Sequence, residues 1–384
     1  MTAPPPPDII DLLALTLVPG MGPRLTAGLI AHFGSAAAVR RATPEQLRQV
    51  AHIGEKLAGQ FAAALWSLDL QSELDLIAKH NVWLLSRWQR EYPAALAATE
   101  NPPPLLYARG SLTDADAQAV AIVGSRNCSS YGRRMAERIA AGLSRAHITV
   151  VSGLARGIDA AAHTGALNAG GRTIGVLASG LASIYPPENT ELSQQIERSG
   201  CLLSETPMTF DPLPGMFPAR NRIISGLASG VVIIEAGAKS GALITAHHAG
   251  EQGRELFVVP GNADHPASSG SLRLLRDGAR LVRDADDILE DLAGITAVGG
   301  VPIRKPAEAE AEVRPATPTL PFVPANLDAD QQRIWDALAD GQRHVDDLVR
   351  ALVLPVSQLN GMLMVLEMKK FVRRLPGNMY ERRT

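Results

Sequence analysis

Cysteine is scarce: Cys128 and Cys201 are the only two, and they lie in different segments. Two cysteines cannot supply the ligands of a structural zinc site, and their scarcity fits a reduced, cytoplasmic setting. Long apolar runs are lacking too. None approaches the roughly 18 residues that span a bilayer, and the start "MTAPPPPDII" has neither a basic nor an apolar signal region. We therefore expect neither export nor membrane insertion. A dominant charge is also absent: the formal net charge is −2, so a nucleic-acid site would have to be a local cluster of Lys and Arg.

Several nucleotide and catalytic signatures are missing as well. After the first strand-like run, "AVAIVG" (119–124), stands "GSRNCS" rather than G-x-G-x-x-G. No acidic residue follows the second run where a ribose would be held, so NAD binding is disfavoured. The segment "EAGAKSGALITA" has a Lys-Ser pair but only Gly237 ahead of it, which is not a P-loop. No G-x-S-x-G elbow is present; "GLASG" and "GAKSG" misplace the serine. The neighbouring His247 and His248 would sit about 100° apart on a helix, so they do not form an i, i+4 metal pair. No metal site and no cofactor are expected.

The 46% hydrophobic content is ample for a sizeable core, and the length suits two or three domains. Residues 1–8 read as a disordered proline-rich tail and 9–85 as a helical, SAM-like module. Its turns "VPGMGP" and "HIGEK" resemble helix-hairpin-helix elements, which either present N–H groups to a phosphate or serve only for packing. Residues 86–296 read as an α/β core with a leading extension that includes a short strand, "LLYARG". Residues 297–325 read as a flexible linker and 326–384 as a winged helix, with a third helix, "SQLNGMLMVLEMKK", poor in basic residues until its end and Arg373, Arg374, Arg382 and Arg383 around the wing. A protein-contact or weak DNA role suits that domain better than specific duplex recognition.

Within the core, "AVAIVG", "ITVVSG", "TIGVLAS", "CLLSE", "VVIIEAG" and "ELFVVPG" are short apolar runs, mostly alternating with helical segments. That pattern predicts a Rossmann-like, doubly wound parallel sheet. Small, hydroxylated or charged residues follow each run, and in an open parallel sheet these strand ends should face a common ligand crevice. Glycines permit close backbone approach and helix N-termini attract anions, so phosphate is the expected chemistry.

Quoted in order, "YPAALAATENPPPLLYARG", "SGLARGID", "FPARNRIISGL" and "SGALITA" closely resemble the DNA-processing protein A family, also called Smf. The resemblance covers roughly residues 92–287. It implies a protein that binds single-stranded DNA and helps load the RecA recombinase onto it, notably in natural transformation. It also implies a homodimer formed through the Rossmann-like domain and no catalytic residues. The candidate DNA-binding set is Gly124, Ser125, Arg126, Ser152, Gly153, Arg156, Phe217, Arg220, Asn221, Arg222, Lys239, Ser240 and Gly241, with Phe217 able to stack on a base. Arg220 and Arg222 have a duller rival role, ion-paired with Glu205 or Glu235. Asp159, His163 and Glu235 are read as structural at the site. The alternative function is that of a nucleotide phosphoribohydrolase, with Arg222 and Glu235 as the working pair, although Glu235 precedes its glycine loop where those enzymes have the acid after it. One departure from the family pattern is Leu272 in "GSLRLLRDGA", where the family has asparagine.

Overall fold

The computed structural model describes residues 7–213, 215–296, 327–338, 343–352, 354–369, 371–375 and 379–382. The expected linker and most of the expected tail lie outside them. Contacts divide the chain into two units, Met1–Ala307 and Glu308–Thr384.

The first unit opens with six helices: α1 (Pro7–Leu17), α2 (Pro23–Phe33), α3 (Ala36–Arg41), α4 (Pro44–Leu47), α5 (Glu55–Ser67) and α6 (Leu70–Lys79). Polar residues start several of them. Thr43 and Gln46 form a reciprocal capping box at α4, and the Asp69 carboxylate accepts from the Gln71 and Ser72 N–H groups at α6. Two boundaries differ from the sequence reading. Pro7 and Asp8, assigned to the tail, begin α1, because proline is well suited to a helix's first turn. The module's assigned end at residue 85 is also shifted: helices stop at Lys79, and β1 (Trp83–Ser86) belongs to the large sheet. Four residues before a turn carry too little periodicity to reveal an edge strand.

The remaining strands of that sheet are β2 (Leu105–Gly110), β3 (Ala119–Gly124), β4 (Thr149–Ser152), β5 (Thr173–Leu177), β6 (Cys201–Ser204), β7 (Gly230–Ile234), β8 (Glu255–Val258) and β9 (Arg280–Leu281). Their order is β1-β2-β6-β5-β4-β3-β7-β8-β9. Pairings from β6 to β9 are parallel, whereas β1 with β2 and β2 with β6 are antiparallel. Between strands run α7 (Ala94–Ala97), α8 (Ser130–Arg145), α9 (Ile158–Asn168), α10 (Thr190–Ser199), α11 (Met216–Gly226), α12 (Ala242–Glu251) and α13 (Ser269–Arg276), and α14 (Ala285–Thr296) follows β9.

Strand alternation explains the apolar runs. Ala121, Val123, Val231 and Ile233 pack on one face with Ile223 and Ile224 of α11 and Ala246 of α12. Val120, Ile122, Val232 and Ile234 pack on the other with Ile139 of α8, Ile158 of α9 and Ile288 of α14. Each fully buried Val or Ile stabilises the fold by about 1.5–3 kcal/mol, so a strand covered on both faces has no place for polar residues until its end.

The helical module is fastened to this core. Glu73 of α6, buried, accepts from the Tyr107 hydroxyl of β2 and from the Met208 N–H, each at 2.8 Å. The second unit contains α15 (Ala329–Ala337), β10 (Arg343–His344), α16 (Val345–Leu352), α17 (Val356–Met368), β11 (Val372–Leu375) and β12 (Met379–Arg382) around Ile334, Leu348, Leu359, Leu363 and Tyr380. This is the winged-helix arrangement. Arg373 pairs with Glu381, and Arg382 lies over the Trp335 ring, so these two arginines are engaged within the unit. Met364 of α17 is 64% exposed.

Candidate functional site

The chain winds from β3 outward through β4, β5 and β6 in one direction, then returns to place β7 on the other side of β3. The loops after β3 and β7 therefore diverge and leave a crevice at the strands' carboxyl ends, where ligands of open α/β sheets bind. A cavity of about 480 Å³ occupies this point. Gly124, Ser125 and Arg126 line it from the β3 loop, Phe217, Arg220 and Asn221 from α11, and Lys239, Ser240 and Gly241 from the β7 loop. A small side pocket continues between Arg156, Ser179, Tyr185 and Phe217.

Arg126 is exposed, and its guanidinium carbon stands 4.5 Å from the Phe217 ring centroid, a cation–π contact. Tyr185 approaches the same ring, with centroids 5.9 Å apart. Arg220 is held quite differently. Only 6% exposed, it donates to the Gly153 carbonyl at 2.5 Å, to the Val176 carbonyl, and to Asn221 Oδ1 at 3.2 Å. Asn221 in turn donates to the Gly241 carbonyl at 3.3 Å, tying the guanidinium to the start of α12. Burial lowers the Arg220 pKa to about 10, with Asp159 opposing that shift and Arg126 adding to it. A side chain at position 153 would collide with this guanidinium, which requires glycine there.

Asp159, at the first turn of α9, accepts from the Gly153 and Ala155 N–H groups at 3.1 and 3.4 Å. Burial pushes its carboxyl pKa up, countered by Arg220 and those two bonds. The turn before α9 depends on Gly157, whose φ is +74° and whose Cα faces the Ser125 and Arg126 carbonyls. His163 is fully buried. Thr173 spends its hydroxyl proton on the Val150 carbonyl, so His163 Nδ1 is the donor to Thr173 Oγ1 at 2.7 Å. Its Nε2 then carries no proton and has no partner among the described residues, and burial lowers the histidine's pKa to about 3.

The sequence profile of the DNA recombination-mediator protein A family matches residues 83–293. The chain belongs to that family. A DprA winged helix domain matches residues 316–378 and a SAM-like helix-hairpin-helix tandem residues 12–65. Protein Smf of Synechocystis is 34% identical, over 97% of this chain and 98% of its own length. DNA processing protein DprA of Bacillus subtilis is 42% identical over 53% of this chain and 69% of its own. Among solved structures, DNA processing protein A of Streptococcus pneumoniae superposes with a TM-score of 0.66 at 32% identity, covering 74% of this chain and 97% of that one. The Helicobacter pylori DNA processing protein A, solved to describe its single-stranded DNA binding mode, gives 0.50 at 30% identity, covering 56% of this chain and 96% of that one.

In this chain the strand-end segments do not all meet. Those after β3, β4, β5 and β7 border the crevice and its side pocket, whereas Glu205 after β6 and Pro260 after β8 line other cavities. Three candidate contacts change role accordingly. Arg222 turns away from the crevice, bonded to the Glu205 carboxylate at 2.6 Å and to the Asn101 carbonyl at 2.6 Å. Ser152 is fully buried, its hydroxyl donating to the Ile122 carbonyl at 2.6 Å. Arg156 borders the side pocket but pairs with Glu188. Glu235 does not face Arg222: its oxygens accept from Ser129 N at 2.7 Å and from Ser129 Oγ. The pair required for phosphoribohydrolase chemistry is thus not assembled. Leu272 lies half-buried on α13, where its neighbour Ser271 accepts the Ala236 N–H at 2.8 Å.

Sequence reasoning missed Tyr185 and Asn189. Asn189 donates to the Leu154 carbonyl at 2.9 Å and braces the loop carrying Arg156. Both lie in "IYPPEN", an irregular stretch without periodicity; its tyrosine beside two prolines was the available signal. Among the described residues no helix is long and apolar enough to cross a membrane.

Proposed function

We propose that this protein binds single-stranded DNA in the crevice between the β3 and β7 loops and presents it to a RecA recombinase, with no catalytic step and no cofactor. The observation that carries this reading is the pairing of Arg126 and Lys239 across the crevice. Among the described residues neither forms an ion pair, while Arg156, Arg220 and Arg222 are each bonded to protein. Four cationic side chains border the crevice and side pocket, and the carboxylate among the lining residues, Asp159, is already hydrogen-bonded. Free cations beside an aromatic ring suit a phosphate backbone with splayed bases. The single-stranded DNA studied with the Helicobacter pylori relative supports the same ligand class.

A homodimer through the Rossmann-like domain belongs to this proposal. It is supported by β9, which pairs on one side with β8 and leaves Leu281 53% exposed at the sheet edge. The localisation that goes with this reading is cytoplasmic.

The test is fluorescence anisotropy with labelled single-stranded and duplex oligonucleotides across a salt series, for the wild type and Arg126→Ala/Lys239→Ala. Preferential single-strand binding is expected, with affinity falling by about 0.7 log units per decade of salt for each neutralised phosphate, and a shallower slope in the double variant. Absence of binding at low salt would overturn the proposal. Faster recombinase filament assembly on the same oligonucleotide is the expected result for the loading step, and an unchanged rate would remove it.

A further inference from the structure

The β7 loop has a second flank, and it faces a separate cavity of about 340 Å³ lined by Ser129, Tyr131, Glu235, Pro260, Asn262 and His265 among others. The two cavities stand back to back. Ala267 borders the crevice and His265 borders this one, and the wall between them is where Gly237 meets Pro266 and Ala267. A strand bound in the crevice would enter this cavity by crossing that wall.

Its chemistry is the opposite of the crevice's. Among the described residues no Lys or Arg lines it, and its carboxylate would repel a phosphate. Among the described residues no three His, Cys, Asp or Glu cluster for a metal ion. What it does offer is a ring and an acceptor. Tyr131 is 40% exposed, and its hydroxyl donates to the Pro260 carbonyl at 2.9 Å, 129 residues away, which fixes the ring's orientation. Glu235 is 8% exposed at a strained φ of +51°. Ser129 occupies one lone pair on each of its oxygens, and a carboxylate oxygen has two, so acceptor capacity remains.

We propose that this cavity is a nucleobase subsite, in which the base stacks on Tyr131 and donates its exocyclic amine to Glu235. The inference rests on the single-stranded DNA reading given above. It selects amine-bearing bases: a carboxylate accepts from cytosine N4, whereas the N3–H of thymine lies between two carbonyl oxygens that repel it.

The test compares binding of dC and dT homo-oligomers to the full chain by anisotropy. The wild type should bind dC about fivefold or more tighter than dT, and both Tyr131→Leu and Glu235→Gln should bring that ratio towards one. Glu235→Gln also loosens the Ser129 loop that carries Arg126, but phosphate contacts hold no base information, so that loss weakens both oligomers alike and leaves the ratio as the readout. Tyr131→Leu changes an exposed residue and leaves the Ser129 bonds intact. Equal wild-type binding of dC and dT overturns the subsite alone, as does a preference that survives in both variants. Binding of neither oligomer overturns the parent reading with it.

Discussion

The Arg126 guanidinium covers one face of the Phe217 ring, 4.5 Å from its centroid. A base cannot stack on that face while the cation lies there, so in the proposed complex the two exchange: Arg126 goes to a phosphate and Phe217 takes a base. Phe217→Leu should therefore weaken single-strand binding by a factor of about 5 to 150 with little change in salt slope. Arg126→Ala should instead lower the slope by about 0.7. Equal slopes in the two variants would show that Arg126 does not reach a phosphate.

Arg220 makes a poor probe of DNA contact because it holds the site together. Arg220→Ala leaves the Gly153 and Val176 carbonyls and the buried Asp159 carboxylate without their cation. A destabilisation of about 3–5 kcal/mol is expected in urea denaturation, the usual cost of stranding a buried charge. A loss under 1 kcal/mol would mean that water reaches Asp159 freely.

Arg222 and Glu205 bind each other at 2.6 Å, with their side chains 16% and 23% exposed. Arg222→Ala should cost about 1–3 kcal/mol of stability and leave the salt slope of DNA binding unchanged. A shallower slope would return Arg222 to the DNA interface.

Histidine burial gives the protein a defined acid sensitivity. His163 is held near pKa 3 in the fold, while the unfolded chain takes up the proton near pH 6.5. The unfolded state thus binds more protons between those values, and stability present above pH 6.5 is lost as pH falls towards 3. From pH 7 to pH 5 the loss from this residue is about 2 kcal/mol. His163→Leu should show that much less pH dependence over the same interval in paired urea titrations, whatever the other groups contribute; an unchanged pH dependence would refute the buried neutral state.

Glu73 joins the helical module to the core through one oxygen that accepts from both Tyr107 and Met208. A glutamine oxygen can accept the same two bonds, so Glu73→Gln should cost little. Glu73→Ala strands both donors and should cost about 2–4 kcal/mol. If the two variants are equally destabilised, the negative charge rather than the hydrogen bonds makes the joint.

Where a residue's role follows from its own chemistry and its neighbours in sequence, it was legible. The runs 119–124 and 231–237 could only be strands covered on both faces, because alternate residues are equally apolar, and small or charged residues at their ends mark where the covering stops. Arg126, following Gly124 and Ser125, could be placed beside a crevice on the same grounds. Arg220 and Arg222 could not be separated in this way. Two positions apart on α11, they point to opposite surroundings: one beneath the crevice among the Gly153 and Val176 carbonyls, the other against Glu205. Nothing in "FPARNR" says which arginine meets which.

The sequence by itself determined the α/β class, the strand ends and the supply of cations, because apolar periodicity and glycine placement act over a few residues. Tertiary structure alone decided which cations stay free. Pairing joins residues far apart in the chain: Glu205 with Arg222, Glu188 with Arg156, Glu235 with Ser129. Strand order decided the rest, since the reversal at β3 brings the loop at 125 beside the loop at 239. A charge becomes available to a ligand only when the fold gives it no closer partner, and that is a property of distances the sequence does not contain.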